Sequence, residues 1–291
     1  MICGMLMTMT NLIKAEYNRT QDKELYEKKY REILNLARKA GYRKIDVTSE
    51  ELNVLGIDKI FAALESAGMS AASYIYLDEF ANAEGKTARV LRTNNAAKDA
   101  VALQTDVFMV VTVAHSGIEK ISKAEIHTQI IEHWKPATEY ATSLGLKIAV
   151  EATPDLRLHL CKAEDLRHIL DSIPKMQMVY DTGNVTLTGE TSIQHAREFI
   201  SRICYVHIKD MRVVNENSPI IERRYDGVPM AVAPVGTGLI DVFSIVKELY
   251  QLGYRGELTV EFIVDDDSDS LTSLQRCFTY MQNLMEKAYS K

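Results

Sequence analysis

Four residues in the second half of the chain, Glu151, Asp181, His207 and Glu261, are of the types that hold divalent cations and move protons. Each closes a short β-type run: Ile148-Ala-Val-Glu151, Met178-Val-Tyr-Asp181, Tyr205-Val-His207 and Leu258-Thr-Val-Glu261. Each is preceded by two strand-forming residues, which places the four at a similar depth on one rim. Three carboxylates crowded together repel one another unless a cation holds them. With one imidazole they make an oxygen-rich donor set that suits a hard or borderline ion, Mn²⁺ first, with Mg²⁺, Co²⁺ or Zn²⁺ as alternatives. A single strand-end glutamate is ordinarily a cap or salt-bridge partner. Four such residues on four successive strands are poorly explained that way.

The elements that must position these residues are legible in the punctuation of the chain. A helical stretch ends, a glycine follows, and a β-rich run begins at Gly41, Gly68, Gly145 and Gly253. Strands are expected near 2–9, 43–48, 70–77, 106–114, 146–151, 176–181, 203–208 and 257–263, with Met5, Met7 and Met9 alternating into the core along the first. Helical spacing separates them, as in the apolar positions Tyr30, Ile33, Leu34 and Ala37, or Val242, Phe243, Val246, Leu249 and Tyr250. Strands alternating with helices imply parallel right-handed crossovers. Eight such units point to an α/β fold, a closed (β/α)8 TIM barrel, whose reactive residues come from the C-terminal ends of its strands. An open doubly wound sheet is the alternative, weakened by the missing GxGxxG in the first βα turn. No linker or composition shift divides the 291 residues, so they are expected to form one domain, 1–291.

Composition excludes other classes. With 34 Lys+Arg against 40 Asp+Glu, the formal charge of −6 lacks the basic face that nucleic acid requires. No apolar run approaches the roughly 18 residues of a membrane span, and the apolar start carries no basic leader. Cys3, Cys161, Cys204 and Cys277 form neither a CxxC nor a disulfide framework and read as reduced, buried thiols of a cytoplasmic protein.

Three segments carry a resemblance: Val179-Tyr-Asp181-Thr-Gly-Asn184, Ile203-Cys-Tyr-Val-His207-Ile-Lys-Asp210-Met-Arg212 and Pro234-Val-Gly-Thr-Gly-Leu-Ile-Asp241. With the final Gly253–Glu261 stretch, they are similar to xylose isomerase-like TIM barrels, within the sugar phosphate isomerase/epimerase group of ketose 3-epimerases, hydroxypyruvate isomerase and inosose dehydratase. The match is motif-specific from about residue 145 to 262 and architectural before that. The resemblance implies that Glu151, Asp181, His207 and Glu261 are metal ligands, that Glu151 and Glu261 are also the proton-moving carboxylates, and that Arg212 contacts substrate. It also implies a homodimer or tetramer. One departure stands out: many members carry histidine where this chain has Asn184, and an amide binds a carbonyl oxygen without exchanging a proton. Asn184 is therefore a substrate-binding candidate only.

Further candidates come from position. His159, after the fifth strand, is placed to reach a substrate hydroxyl, and is equally well a surface histidine. His115, ending the fourth strand, faces the same rim as a pocket or packing residue. Lys209 is expected to pair with a carboxylate and Asp210 to fix a loop. Tyr74 and Tyr76 either line the pocket or fill the barrel. The acidic run 265–269 reads as a solvated helix start. Residues 213–233 are long for a βα loop and of lid length; Arg223 and Arg224 there are a solvated cluster or a phosphate contact. Gly236 and Gly238, ahead of a helix, could hold an anion.

The parts describe a divalent-metal-dependent isomerase or epimerase of a sugar or sugar phosphate, working by proton transfer next to a carbonyl through a metal-stabilised enediolate. A lyase that dehydrates a cyclic polyol ketone uses the same intermediate. A nuclease akin to endonuclease IV would need more histidine ligands and a basic face, and a non-catalytic sugar-binding barrel would bind without proton exchange.

Overall fold

The computed structural model describes residues 1–79, 85–114, 117–218, 222–261 and 269–290. Its strands are β1 (Ile2–Met5), β2 (Lys44–Thr48), β3 (Ser70–Glu79), β4 (Val107–Val113), β5 (Lys147–Glu151), β6 (Gln177–Asp181), β7 (Ile203–Ile208), β8 (Asp210–Val213), β9 (Glu222–Arg223), β10 (Pro229–Ala233) and β11 (Leu258–Glu261). Eight of them close a parallel barrel in the order β1-β11-β7-β6-β5-β4-β3-β2. This is the expected (β/α)8 barrel. Among the described residues no helix is long and apolar enough to cross a membrane.

Alternation along each strand explains the aim of the side chains. Ala149, Val179 and Tyr205 belong to the apolar cluster inside the barrel, together with Cys3, Met5, Ile75, Val107 and Met109. Glu151, Asp181 and His207 each lie two residues further on, so they share the inward face at the C-terminal mouth. Thr259 is likewise interior, bonded to Tyr205, and Glu261 follows it by two. The alternate residues, among them Ile148, Val150, Tyr180 and Val260, pack outward in a second, larger cluster that joins the barrel to its helices. Burial on both faces is why these strands read as short apolar runs.

The glycine punctuation is structural. Gly41 closes helix Lys23–Ala40 at φ 121° and Gly253 follows helix Val242–Gln251 at φ 94°, a region that side chains disfavour. Two expectations are corrected. The first strand stops at Met5, because Met7–Thr20 is a helix; Met5 packs inside the barrel, whereas Met9 packs from that helix into the outer core. The segment 213–233 is not a plain loop. It carries β9 and β10, and β10 pairs antiparallel with β8 on one side and β9 on the other in a three-stranded sheet. The sheet seats on a small cluster of Leu187, Met211 and Met230. Cys3, Cys161 and Cys277 are buried, and no disulfide occurs among the described residues.

Candidate metal and proton-transfer site

Glu151, Asp181 and His207 each offer one ligand atom, and these atoms all lie within 4.8 Å of one another. His207 Nδ1 is 2.6 Å from Glu151 Oε1. Asp181 accepts the backbone N–H groups of Gly183 (2.8 Å) and Asn184 (2.6 Å) on Oδ1. Its other oxygen, Oδ2, is buried with no hydrogen-bond partner among the described residues. A buried, unpartnered carboxylate oxygen beside a second carboxylate and an imidazole is a donor set that fits a divalent cation. Burial raises the Asp181 carboxyl well above the usual carboxylate range, reinforced by Glu151 and opposed by Lys209. Burial alone would lower His207; the Glu151 and Asp46 carboxylates outweigh it and hold the imidazole well above its ordinary value.

Glu261 lies outside that group of three. Its Oε1 sits 3.2 Å from Lys209 Nζ. Lys209 is buried and also meets Glu222 Oε1 at 3.6 Å and donates to Asn184 Oδ1 at 2.9 Å. Burial would lower its pKa, but Glu261, Glu222 and Asp181 override that, so it stays an ammonium. The lysine stem passes over Gly183, where an added Cβ would lie 2.8 Å from Lys209 Cγ. Thr182 ties the two strand ends together, its hydroxyl donating to the Lys209 carbonyl at 2.7 Å and accepting from the Lys209 N–H at 2.9 Å.

Asn184 is committed to the protein at both ends of its amide. Nδ2 donates to the Ala152 carbonyl at 2.9 Å while Oδ1 holds Lys209. Arg212 is exposed on β8, where its neighbours Asp210 and Met211 are buried. His159 is half-buried at a left-handed φ of 51°, and its carbonyl accepts from His127 Nε2 at 2.9 Å. His115 lies outside the described residues, as do residues 265–268 of the acidic run; Asp269 caps helix Ser270–Tyr289.

Other expectations resolve differently. The backbone N–H groups of Gly236, Gly238 and Ile240 do embrace an anion, but it is the chain's own Asp210, at 2.8 to 3.0 Å. Asp210 thereby fixes the loop as expected and leaves no room for a ligand there. Tyr74 and Tyr76 belong to the outer layer, each ring against Phe108, and line a cavity of about 330 Å³ that shares no residue with the mouth groups. Arg223 and Arg224 are paired with Glu216 and Asp226 on the hairpin, a solvated cluster.

Two participants escaped the sequence reading. Glu222 is carried into the mouth by β9, and burial raises its carboxyl. Asp46 on β2 is fully buried behind His207. Its signal was present: an acid inside the apolar strand Lys44-Ile-Asp-Val-Thr48 is costly to bury unless partnered.

Comparison with known proteins agrees with the fold. A 90-residue stretch is 33% identical to inosose dehydratase of Geobacillus thermodenitrificans, covering 30% of each chain. A 153-residue stretch is 25% identical to the putative L-ribulose-5-phosphate 3-epimerase SgbU of Escherichia coli, covering 52% of this chain and 50% of that one. The chain thus matches between 30% and 50% of the length of these curated relatives. Among solved structures, an IOLI protein with a bound zinc atom superposes with a TM-score of 0.69 at 17% identity, over 100% of this chain and 99% of the other. The family model for the xylose isomerase-like TIM barrel matches residues 34–279, which takes in seven of the eight barrel strands and every one of the mouth residues above. The chain therefore belongs to the xylose isomerase-like TIM barrel family.

Proposed function

We propose that this protein is a divalent-metal-dependent enzyme that moves a proton next to the carbonyl of a small polyhydroxy ketone, isomerising or epimerising it. The observation that carries the reading is the convergence of Glu151, Asp181 and His207 to within 4.8 Å, with one Asp181 oxygen buried and unpartnered. These three residues would hold the ion, and Glu261, now turned to Lys209, is the candidate fourth. The donor set suits Mn²⁺, and the zinc of the IOLI protein makes Zn²⁺ the natural alternative. Such an ion supplies a Lewis acid that makes the hydrogen beside the carbonyl removable at neutral pH.

The remaining chemistry is the chain's own. The strand order β11-β7-β6-β5 sets Glu261 and Glu151 at the two ends of the arc. One carboxylate removes the proton from one side and the other returns it, inverting the carbon; return to the neighbouring carbon gives aldose–ketose isomerisation. Lys209, fixed by Asn184 and Thr182, places fixed positive charge where negative charge develops on substrate oxygen. Among the described residues, Glu151, Asp181, Glu222 and Glu261 outnumber Lys209 and His207, the cationic groups they meet, and Arg157, Arg223 and Arg224 are paired with Asp155, Glu216 and Asp226. That balance favours an unphosphorylated ketone.

Dehydration of a cyclic polyol ketone is the second reading, favoured by the buried Lys209 ammonium, which is built to stabilise a departing hydroxide, and by the inosose dehydratase similarity. One experiment separates the two: ketoses, their phosphates and inososes are incubated in D₂O with Mn²⁺ or Zn²⁺ and followed by NMR. Deuterium at the carbon beside the carbonyl, without loss of water, supports the first reading; a dehydrated product supports the second. Glu261→Gln should cut either by about 10²-fold or more with the melting temperature preserved. No exchange and no elimination from any of these ketones would refute both.

A further inference from the structure

Behind His207 lies a hydrogen-bonded chain that the proposed reaction does not use. Asp46 on β2 accepts the Ser73 hydroxyl from β3 at 2.7 Å and the Tyr205 hydroxyl from β7 at 2.6 Å, both on Oδ1. Because the Tyr205 proton goes to Asp46, the 2.5 Å contact with Thr259 of β11 is a bond donated by Thr259. Four strands thus spend polar side chains inside an otherwise apolar barrel on one carboxylate. Its second oxygen, Oδ2, lies at ion-pair distance from His207 Nε2, 3.2 Å, and among the described residues neither atom has a hydrogen-bond partner, so each is the nearest one open to the other. The opposite ring nitrogen, Nδ1, points at Glu151. Asp46 itself stands apart from the three residues whose ligand atoms converge.

We propose that Asp46 is a positioning residue for the candidate ion site, holding the Nε2 proton of His207 so that the Nδ1 lone pair is presented beside Glu151 and Asp181. The inference rests on the ion-site reading above. A neutral imidazole carries one proton and one lone pair, and the partner of one nitrogen decides which nitrogen is left to bind. A carboxylate anchored by Ser73 and Tyr205 settles both the tautomer and the ring angle. Outer partners of this kind are worth about 10- to 100-fold in metal affinity.

The test is a zinc titration of the full chain against a chromophoric chelator, comparing the unmodified protein with Asp46→Asn, Tyr205→Phe and His207→Ala. One zinc per chain is expected, with affinity weakened about 10- to 100-fold by Asp46→Asn, less by Tyr205→Phe, and lost in His207→Ala. Zinc binding by Asp46→Asn within twofold of the unmodified chain, while His207→Ala loses it, overturns the role of Asp46 and leaves the ion site standing. No zinc bound by the unmodified chain overturns the ion-site reading and the proposal with it. Histidine ¹⁵N NMR of the unmodified zinc-loaded protein gives a readout independent of whether the variants fold. It should show His207 protonated at Nε2; protonation at Nδ1 contradicts the proposal.

Discussion

At the scale of single residues, the mouth of the barrel is a balance of buried charge in which each group depends on its neighbours' placement. Lys209 illustrates this: it is held by Asn184, Glu261 and Glu222, and its path is open because residue 183 has no side chain. A methyl group there would press on the lysine Cβ, Cγ and Cδ, with ordinary backbone dihedrals left intact. Gly183→Ala is expected to shift the ammonium away from Glu261 and to lower turnover of the D₂O-exchange substrate about 10- to 100-fold, with little change in melting temperature. Unaltered turnover would mean that Lys209 has no part in the chemistry. The four strand-end groups were legible from residue type and position alone. Asp46 was not, because a lone acid in a strand does not reveal which strand it will face across a closed barrel. Asn184 was visible only as an amide in a histidine's usual place; that both its ends are spent on the protein follows from the turn that brings Ala152 and Lys209 to it.

At the scale of elements, the strands and helices followed from apolar period and glycine punctuation, and the misreadings have physical causes. Met7 and Met9 continue an alternating pattern past Met5, but methionine is also a good helix former, and the chain turns at Leu6. The 213–233 segment carries a turn signal in Asp226-Gly227, with Gly227 at φ 86°, but the run before it, Glu222-Arg-Arg-Tyr225, is charged rather than alternating, so the strands surface only through the pairing of β10 with β8 and β9. Helix Ser49–Leu55 supplies a testable case. Its capping box joins Thr48 and Glu51, with Glu51 Oε2 accepting the Thr48 N–H at 2.7 Å. Glu51 is buried, and that burial, only partly offset by the Thr48 N–H, pushes its carboxyl up to about 7. The folded state therefore binds this proton more tightly than the unfolded chain. Its stabilising contribution is fully present below the unfolded carboxyl range, near pH 4.5, and is lost as pH rises through about 7. Glu51→Gln, which keeps the shape of the protonated acid, should flatten the fall in melting temperature between those values. An identical slope in both proteins, followed by thermal unfolding across that range, would show that Glu51 is not the source.

At the scale of the whole molecule, the barrel explains how residues more than a hundred positions apart come to share one site. Strand neighbours β5, β6, β7 and β11 are adjacent by closure, and the inward face of each ends in a polar residue at the same mouth. The three-stranded sheet of β8, β10 and β9 then adds Glu222, whose carboxylate meets Lys209 at 3.6 Å. The family and the fold are shared with xylose isomerase-like TIM barrels, and the proposed chemistry rests on an ion held at the mouth. Anomalous diffraction at the zinc edge from zinc-loaded crystals tests it most directly. One peak per chain is predicted, about 2.0–2.2 Å from a carboxylate oxygen of Glu151, a carboxylate oxygen of Asp181 and Nδ1 of His207. A map with no peak among these three residues, or with zinc bound only elsewhere, would contradict the account.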